Sequence, residues 1–192
     1  MTPIGHTAAG YLVSYTALQM ANAQSLQNGV GAHGFFSGTV GSLVLWGIFW
    51  SVAVDWDLLI AMGLSRSVKI DPRINHRRFA SHAPAVWFLL SSAVYFLTTT
   101  TYGHYFALMM FLGSWFHFAL DSIEPGIMWL WPFDKKLYSL FPARAPERPN
   151  AGSESVFAFY RRIFRENIMQ TVTFRAEVCV VLIALIAAFA LR

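Results

Sequence analysis

The chain has 192 residues, of which 56% are hydrophobic and only 12% charged, about half the charged share of an ordinary soluble domain. That composition excludes a fold solvated by water alone, and one cysteine, Cys179, excludes a disulfide framework or a thiolate metal cluster. The formal charge of +4 does not point to nucleic acid, because the basic residues fall in two loops beside apolar runs, where anionic lipid headgroups answer them.

Taken in chain order, the apolar runs predict an all-α fold, a polytopic transmembrane helical bundle of about five spans, several of them near the roughly 20 residues that cross the hydrocarbon layer. The N-terminus, Met1 to His6, lacks the basic flank and cleavage pattern of a signal peptide, so the chain is expected to be mature throughout. The first span covers about residues 7–23 and is the least apolar. The second covers 35–62 and carries Asp55 and Asp57 near its end. The third covers 84–97, with an extension through the threonines that follow, and the fourth 102–120. The fifth covers 178–191, with Arg175 and Glu177 at its entrance. Before the fifth, Pro142, Pro146, Pro149 and Gly152 predict an irregular connection. Then Val156, Phe157, Tyr160, Phe164, Ile168 and Val172 recur at helical spacing among Arg161, Arg162, Arg165 and Glu166. They predict an amphipathic helix, either in the headgroup region or packed on the bundle. The expected organisation is a four-helix metal-site bundle over 1–135, a cytoplasmic or interfacial segment over 136–172, and a C-terminal transmembrane helix over 173–192.

Loop charge sets the orientation. Residues 64–83 hold Arg66, Lys69, Arg73, Arg77 and Arg78, and residues 121–172 hold Lys135, Lys136, Arg144, Arg148, Arg161, Arg162 and Arg165, whereas 21–34 and 101–103 hold neither lysine nor arginine. Basic loops stay cytoplasmic, which predicts an N-terminus inside and a C-terminus outside.

On that map the ionisable residues converge. His6 precedes the first span, Asp55 and Asp57 close the second, His76 and His82 precede the third, and His117 and Asp121 close the fourth. All seven stand at cytoplasmic helix ends, where a polar side chain near a bilayer is a functional candidate. His117 and Asp121, four apart, share a helix face. Asp55 and Asp57, two apart, diverge by about 200° on an intact α-helix. They share an ion only if the helix loosens there, or else one of them orients a histidine. His76 and His82 flank Arg77 and Arg78, whose planar forks suit a phosphate. Each element also has a plain structural explanation: a span ending at the interface, a buried His117–Asp121 pair, a positive-inside signal. Their coincidence on one face favours a site. His33 and His104 fall on the opposite side and are left out, and Trp46, Trp50, Trp56, Trp129 and Trp131 suit an interfacial belt or the bundle core.

The pattern of His6 with Gly10, Asp55-Trp56-Asp57, His76-Arg77 with Ser81-His82, His117 with Leu120-Asp121, and Leu130-Trp131-Pro132-Phe133 resembles the YdjM-like family of bacterial inner-membrane proteins over about residues 1–135. The resemblance implies a membrane-bound metal-dependent hydrolase of the inner membrane. That label follows a similarity to zinc-dependent phospholipases and implies a reaction class without a substrate. Two positions depart from the family pattern. Val54 stands where proline usually precedes the first aspartate, and Glu124, followed by Pro125-Gly126, stands where threonine is usual. Glu124 is thereby a candidate added ligand or general base.

Histidine with carboxylate suits Zn²⁺, or Mn²⁺ and Fe²⁺ with more oxygen ligands. The expected metal ligands are His6, Asp55, Asp57, His76, His82, His117 and Asp121. Seven exceed one tetrahedral shell, and two ions sharing an aspartate would use them. Asp57, Arg77, Arg78 and Glu124 are the candidates for catalytic roles. The expected activity is a phosphoesterase acting on a lipid or lipid-linked substrate, with membrane lipids as partners, no nucleic acid, and the oligomeric state open. Two alternatives are a divalent-metal transporter, which needs polar groups through the midplane where the spans offer only residues such as Ser42, Ser91 and Ser92, and a non-catalytic scaffold with a structural metal.

Overall fold

The computed structural model describes residues 2–20, 38–66, 68–69, 75–124, 126–141 and 155–190. They form the helices α1 (Pro3–Met20), α2 (Gly38–Ala53), α3 (Asp57–Ser65), α4 (Pro84–Leu97), α5 (Thr101–Asp121), α6 (Val156–Arg162) and α7 (Val172–Ala190). Among the described residues there is no strand, only an isolated antiparallel bridge between Ile127 and Tyr138. Two helical stretches, Val40–Ser65 and Val172–Ala190, are long and apolar enough to cross a membrane, and Pro84–Leu97 is a shorter apolar helix. The five expected spans are thus matched by two on length and composition.

The second span is broken where its aspartates lie. A 3₁₀ turn, Val54–Trp56, separates α2 from α3. Tighter turns draw amides to carbonyls three residues back, which takes the carbonyl of Ser51 out of the α-helical ladder and re-aims Asp55 against Asp57. The threonines after 97 do not extend the third span. Thr98 and Thr100 are extended, and the Thr100 hydroxyl accepts from the Gly103 amide, capping α5. The last helix begins at Val172, earlier than expected, because Glu177 is a buried residue within it rather than a marker of its entrance.

Helix α5 is central and packs on α1, α2 and α4, while α1 also packs on α2 and α7. One core joins Tyr11, Leu18, Leu43, Val44, Met109 and Ala184, and the other joins Val54, Trp87, Met110, Phe118 and Ile127. Glycine sets how closely α1, α2 and α5 approach. A β-carbon on Gly47 would collide with the Ser14 hydroxyl, and one on Gly113 would lie 2.5 Å from the Gly47 carbonyl oxygen. Small residues at helix crossings serve this purpose in membrane bundles.

After α5, Gly126 adopts φ 99° and donates its amide to the Asp121 carbonyl at 3.0 Å, turning the following segment back over the helix end. Helix α6 continues as π-helical turns over Ile163–Ile168. The residue it buries is Phe159, absent from the expected apolar stripe, while Phe157 and Phe164 remain exposed. The Tyr160 hydroxyl donates to the Val68 carbonyl and Lys69 sits over the Phe159 ring, so one face of α6 is docked on the segment after α3. The prolines and glycine of the expected irregular connection lie outside the described residues.

Candidate metal centre

The site begins with the first turn of α1. The amides of Thr2 and Gly5 donate to the Glu177 carboxylate at 3.2 and 3.0 Å, and the Thr2 hydroxyl donates to it as well. A carboxylate from α7 thereby satisfies the unpaired amides of a helix N-terminus. It fixes the next residue, His6, fully buried. The Ser51 hydroxyl donates to the His6 carbonyl at 2.7 Å, and the His6 ring stacks on His117 with centroids 3.8 Å apart.

Two further imidazoles are aimed by their Nδ1 atoms. Nδ1–H of His117 donates to the released Ser51 carbonyl at 2.8 Å, and Nδ1–H of His82 donates to Asp57 Oδ2 at 2.6 Å. Asp57 Oδ2 also accepts from the Ser81 hydroxyl at 2.7 Å, and the Trp87 indole donates to the Ser81 carbonyl at 2.6 Å, which pins the short 3₁₀ turn carrying His82. With the proton on Nδ1, each ring presents the Nε2 lone pair, as a metal ligand requires.

Those lone pairs meet two carboxylate oxygens. The two Nε2 atoms lie 3.4 Å apart. Asp55 Oδ1 lies 3.6 Å from His82 Nε2 and 3.7 Å from His117 Nε2. Asp121 Oδ2 lies 3.7 Å from each of them. Ligand bonds of about 2.0–2.2 Å arranged tetrahedrally set ligand atoms roughly 3.3–3.6 Å apart. The measured edges fit that figure. Four acceptors converging in a nearly dry pocket repel one another unless a cation lies among them, so the donor set fits a divalent metal.

The remaining oxygens of the same aspartates face His6. Its Nε2 lies 3.8 Å from Asp55 Oδ2 and 3.6 Å from Asp121 Oδ1. Both His6 ring nitrogens are buried without a hydrogen-bond partner, as is Asp57 Oδ1. Buried polar atoms left in this way call for an explanation, and a second ion is one. His76 Nε2 stands 3.9 Å from Asp55 Oδ1, and Asp55, Asp57 and His76 form a second convergent group.

The family model for the YdjM inner membrane protein matches residues 1–191. The chain belongs to the YdjM family. The match extends past residue 135, where the motif resemblance ends, and takes in α6 and α7. No curated protein and no solved structure matches the chain. Family and candidate spans together make this YdjM chain an inner membrane protein.

The other expected residues of this YdjM chain take different positions. Arg77 was expected at a phosphate, but its Nε and Nη2 donate to Asp121 Oδ2 at 2.9 and 2.8 Å, so it orients a carboxylate of the candidate centre. Arg78 is exposed beside it. Glu124, expected as a ligand or base, accepts from the Val172 amide at 3.0 Å, and its carbonyl accepts from the Thr173 hydroxyl at 3.2 Å. It ties the start of α7 to the end of α5. Ser51 carries no role in the sequence pattern, and Glu177 figures there only at the entrance of the last span. Their signal was a polar residue inside an apolar run, four residues before Asp55 in one case and within the last helix in the other.

Outside the spans, protonation is uneven. Burial, with Arg77 and His82 nearby, pushes His76 down to about 4. Burial also pulls His82 down, but the carboxylates of Asp121 and Asp57 outweigh it and leave His82 above its ordinary value. A proton on His82 Nε2 would therefore stand where a metal ion would bind.

Proposed function

We propose that this YdjM protein is a membrane-embedded, metal-dependent phosphoesterase, with zinc held by Asp55, His82, His117 and Asp121. The observation that carries it is the convergence of four lone-pair atoms, five of whose six separations are 3.4–3.7 Å. Two imidazoles and two carboxylates at tetrahedral spacing favour zinc over manganese or iron. A bound ion would supply Lewis-acid polarisation of a phosphoryl group and make water more acidic.

The chain's own residues do the rest. Asp57 and the Ser51 carbonyl hold the two imidazoles in one tautomer, and Arg77 holds Asp121. Arg78, exposed at the rim, offers its fork to the phosphate. Hydrolysis adds water across a P–O bond, the hydroxyl going to phosphorus and the proton to the leaving alkoxide. His6, with the outer oxygens of Asp55 and Asp121, is the best-supported second ion site. Loop charge supports a multi-pass protein with a cytoplasmic N-terminus and a centre near the cytoplasmic headgroups, hence a lipid or lipid-linked substrate.

The test is metal analysis of protein purified without chelator, with phosphoester assays on wild type and His117→Ala. The proposal expects at least one zinc per chain, and loss of both zinc and activity in the variant. Substoichiometric metal in the wild type overturns it. Stoichiometric metal with no ester cleaved across a lipid panel leaves a structural metal in its place.

A further inference from the structure

Between α4 and α5 lies an open groove of about 520 Å³, lined by Phe88, Tyr95 and Phe96 on one side, all exposed, and by Ala107, Leu108 and Phe111 on the other. That volume falls within the range of small-molecule sites. Two of the polar groups along it, Ser91 and His104, turn to the chain's own backbone. The Ser91 hydroxyl donates to the carbonyls of Trp87 and Phe88, and the His104 Nε2–H donates to that of Thr98. An apolar occupant therefore strands neither of these two groups.

The same two helices carry the metal centre. His82 stands just before α4, and His117 and Asp121 close α5. Phe88 and Phe111 meet at the near end of the groove, their rings 6.2 Å apart. Phe111 is six residues from His117, about 9 Å along the helix at 1.5 Å per residue. From Phe111 to Thr101 the groove runs roughly a further 15 Å, to the turn that joins the helices. Helix α4, with 14 residues, is about 21 Å long against a hydrocarbon layer of roughly 30 Å. Helix α5, with 21 residues, is about 32 Å long, so a bundle that crosses on it carries His117 and Asp121 toward the far surface, where phosphate and glycerol lie.

We infer that this groove is the hydrocarbon-chain subsite of the metal centre. The substrate is a lipid phosphoester whose phosphate lies at Asp55, His82, His117 and Asp121, and one of whose acyl chains lies between α4 and α5. The glycerol ester linkage covers the step between them, about 9 Å along the axis of α5. This rests on the phosphoesterase reading above and adds where the chain of the substrate goes.

Ser92, on the groove wall and outside the centre, gives the test. Full-length wild type and Ser92→Trp in lipid nanodiscs are compared on dipalmitoyl and dihexanoyl phosphatidic acid. Filling the groove raises KM for the long-chain substrate about tenfold or more. It leaves kcat/KM for the short-chain substrate and the zinc content unchanged. Equal effects on both chain lengths, or none on either, overturn the subsite. A phosphatidic acid with a diazirine near its acyl terminus provides a second measurement. It labels residues 84–111 in the wild type, and the labelling falls severalfold in Ser92→Trp and in His117→Ala. Labelling elsewhere, or labelling of the groove indifferent to both substitutions, marks bulk lipid and overturns the inference. If the wild type cleaves neither substrate, the phosphoesterase reading fails, and the labelling still decides whether the groove holds a chain.

Discussion

At His82 the two ring nitrogens have separate tasks, Nδ1–H bound to Asp57 and Nε2 turned to the cluster. Asp57→Asn can present its amide group instead of an acceptor, so metal affinity is expected to fall about 10- to 100-fold with the fold retained. Competition with a chromophoric chelator measures it, and unchanged affinity would remove Asp57 from the supporting role. The histidines also predict opposite pH dependences. His76 is lowered to about 4 from an ordinary 6.5, so in that window the unfolded chain takes up a proton that the folded chain refuses. This stabilisation is present above the ordinary value and is lost as pH falls through the window. His82, raised by its carboxylates, stabilises the metal-free fold below its ordinary value, and that contribution fades as pH rises through the higher folded value. A bound metal must displace the His82 proton, so zinc affinity rises with pH and binding releases protons. Calorimetry in buffers of differing ionisation heat checks this, and an affinity flat across neutral pH contradicts it.

Among the elements, the broken helix and the outer helix matter most. The 3₁₀ turn at Val54–Trp56 turns a two-residue spacing that diverges on an α-helix into a pair serving one site. The looseness was legible as a condition in the sequence, whereas the role of Ser51, whose carbonyl the turn releases to His117, was not. Helix α7 reaches α1 through Glu177, which is 4% exposed and accepts from Thr2 and Gly5. Glu177→Ala strands those amides in a buried place and is expected to cost about 1–3 kcal/mol, with Glu177→Gln recovering part of it. Thermal unfolding in detergent reads the loss, and an unshifted midpoint for the alanine variant means that α7 does not hold α1. Gly47→Val should be costlier, since even a β-carbon there strikes Ser14. Such overpacking costs typically about 1–3 kcal/mol and sometimes more. Expression and monodispersity should drop together, and wild-type behaviour would show that α1 and α2 have room to separate.

For the whole molecule, the proposed orientation places the N-terminus and the Arg- and Lys-rich segments on the cytoplasmic side and the C-terminus on the other. Reporter fusions at Met1 and Arg192 should report opposite compartments, and a common compartment removes one span. Much of this level was open to the sequence. Low charge and long apolar runs identify a membrane chain, loop arginines supply the proposed orientation, and the cost of placing histidine and aspartate near a bilayer marks His6, Asp55, Asp57, His76, His82, His117 and Asp121 as a group. These inferences need only composition, spacing and the poor solvation of charge by hydrocarbon. Packing decided the rest: which nitrogen of each ring carries the proton, which carboxylate oxygen faces which imidazole, and that Arg77 and Glu124 bind Asp121 and the start of α7. Sequence spacing relates residues along one helix. The direction of a lone pair depends on partners from other helices, and those partners meet only when Gly47 and Gly113 let the backbones close.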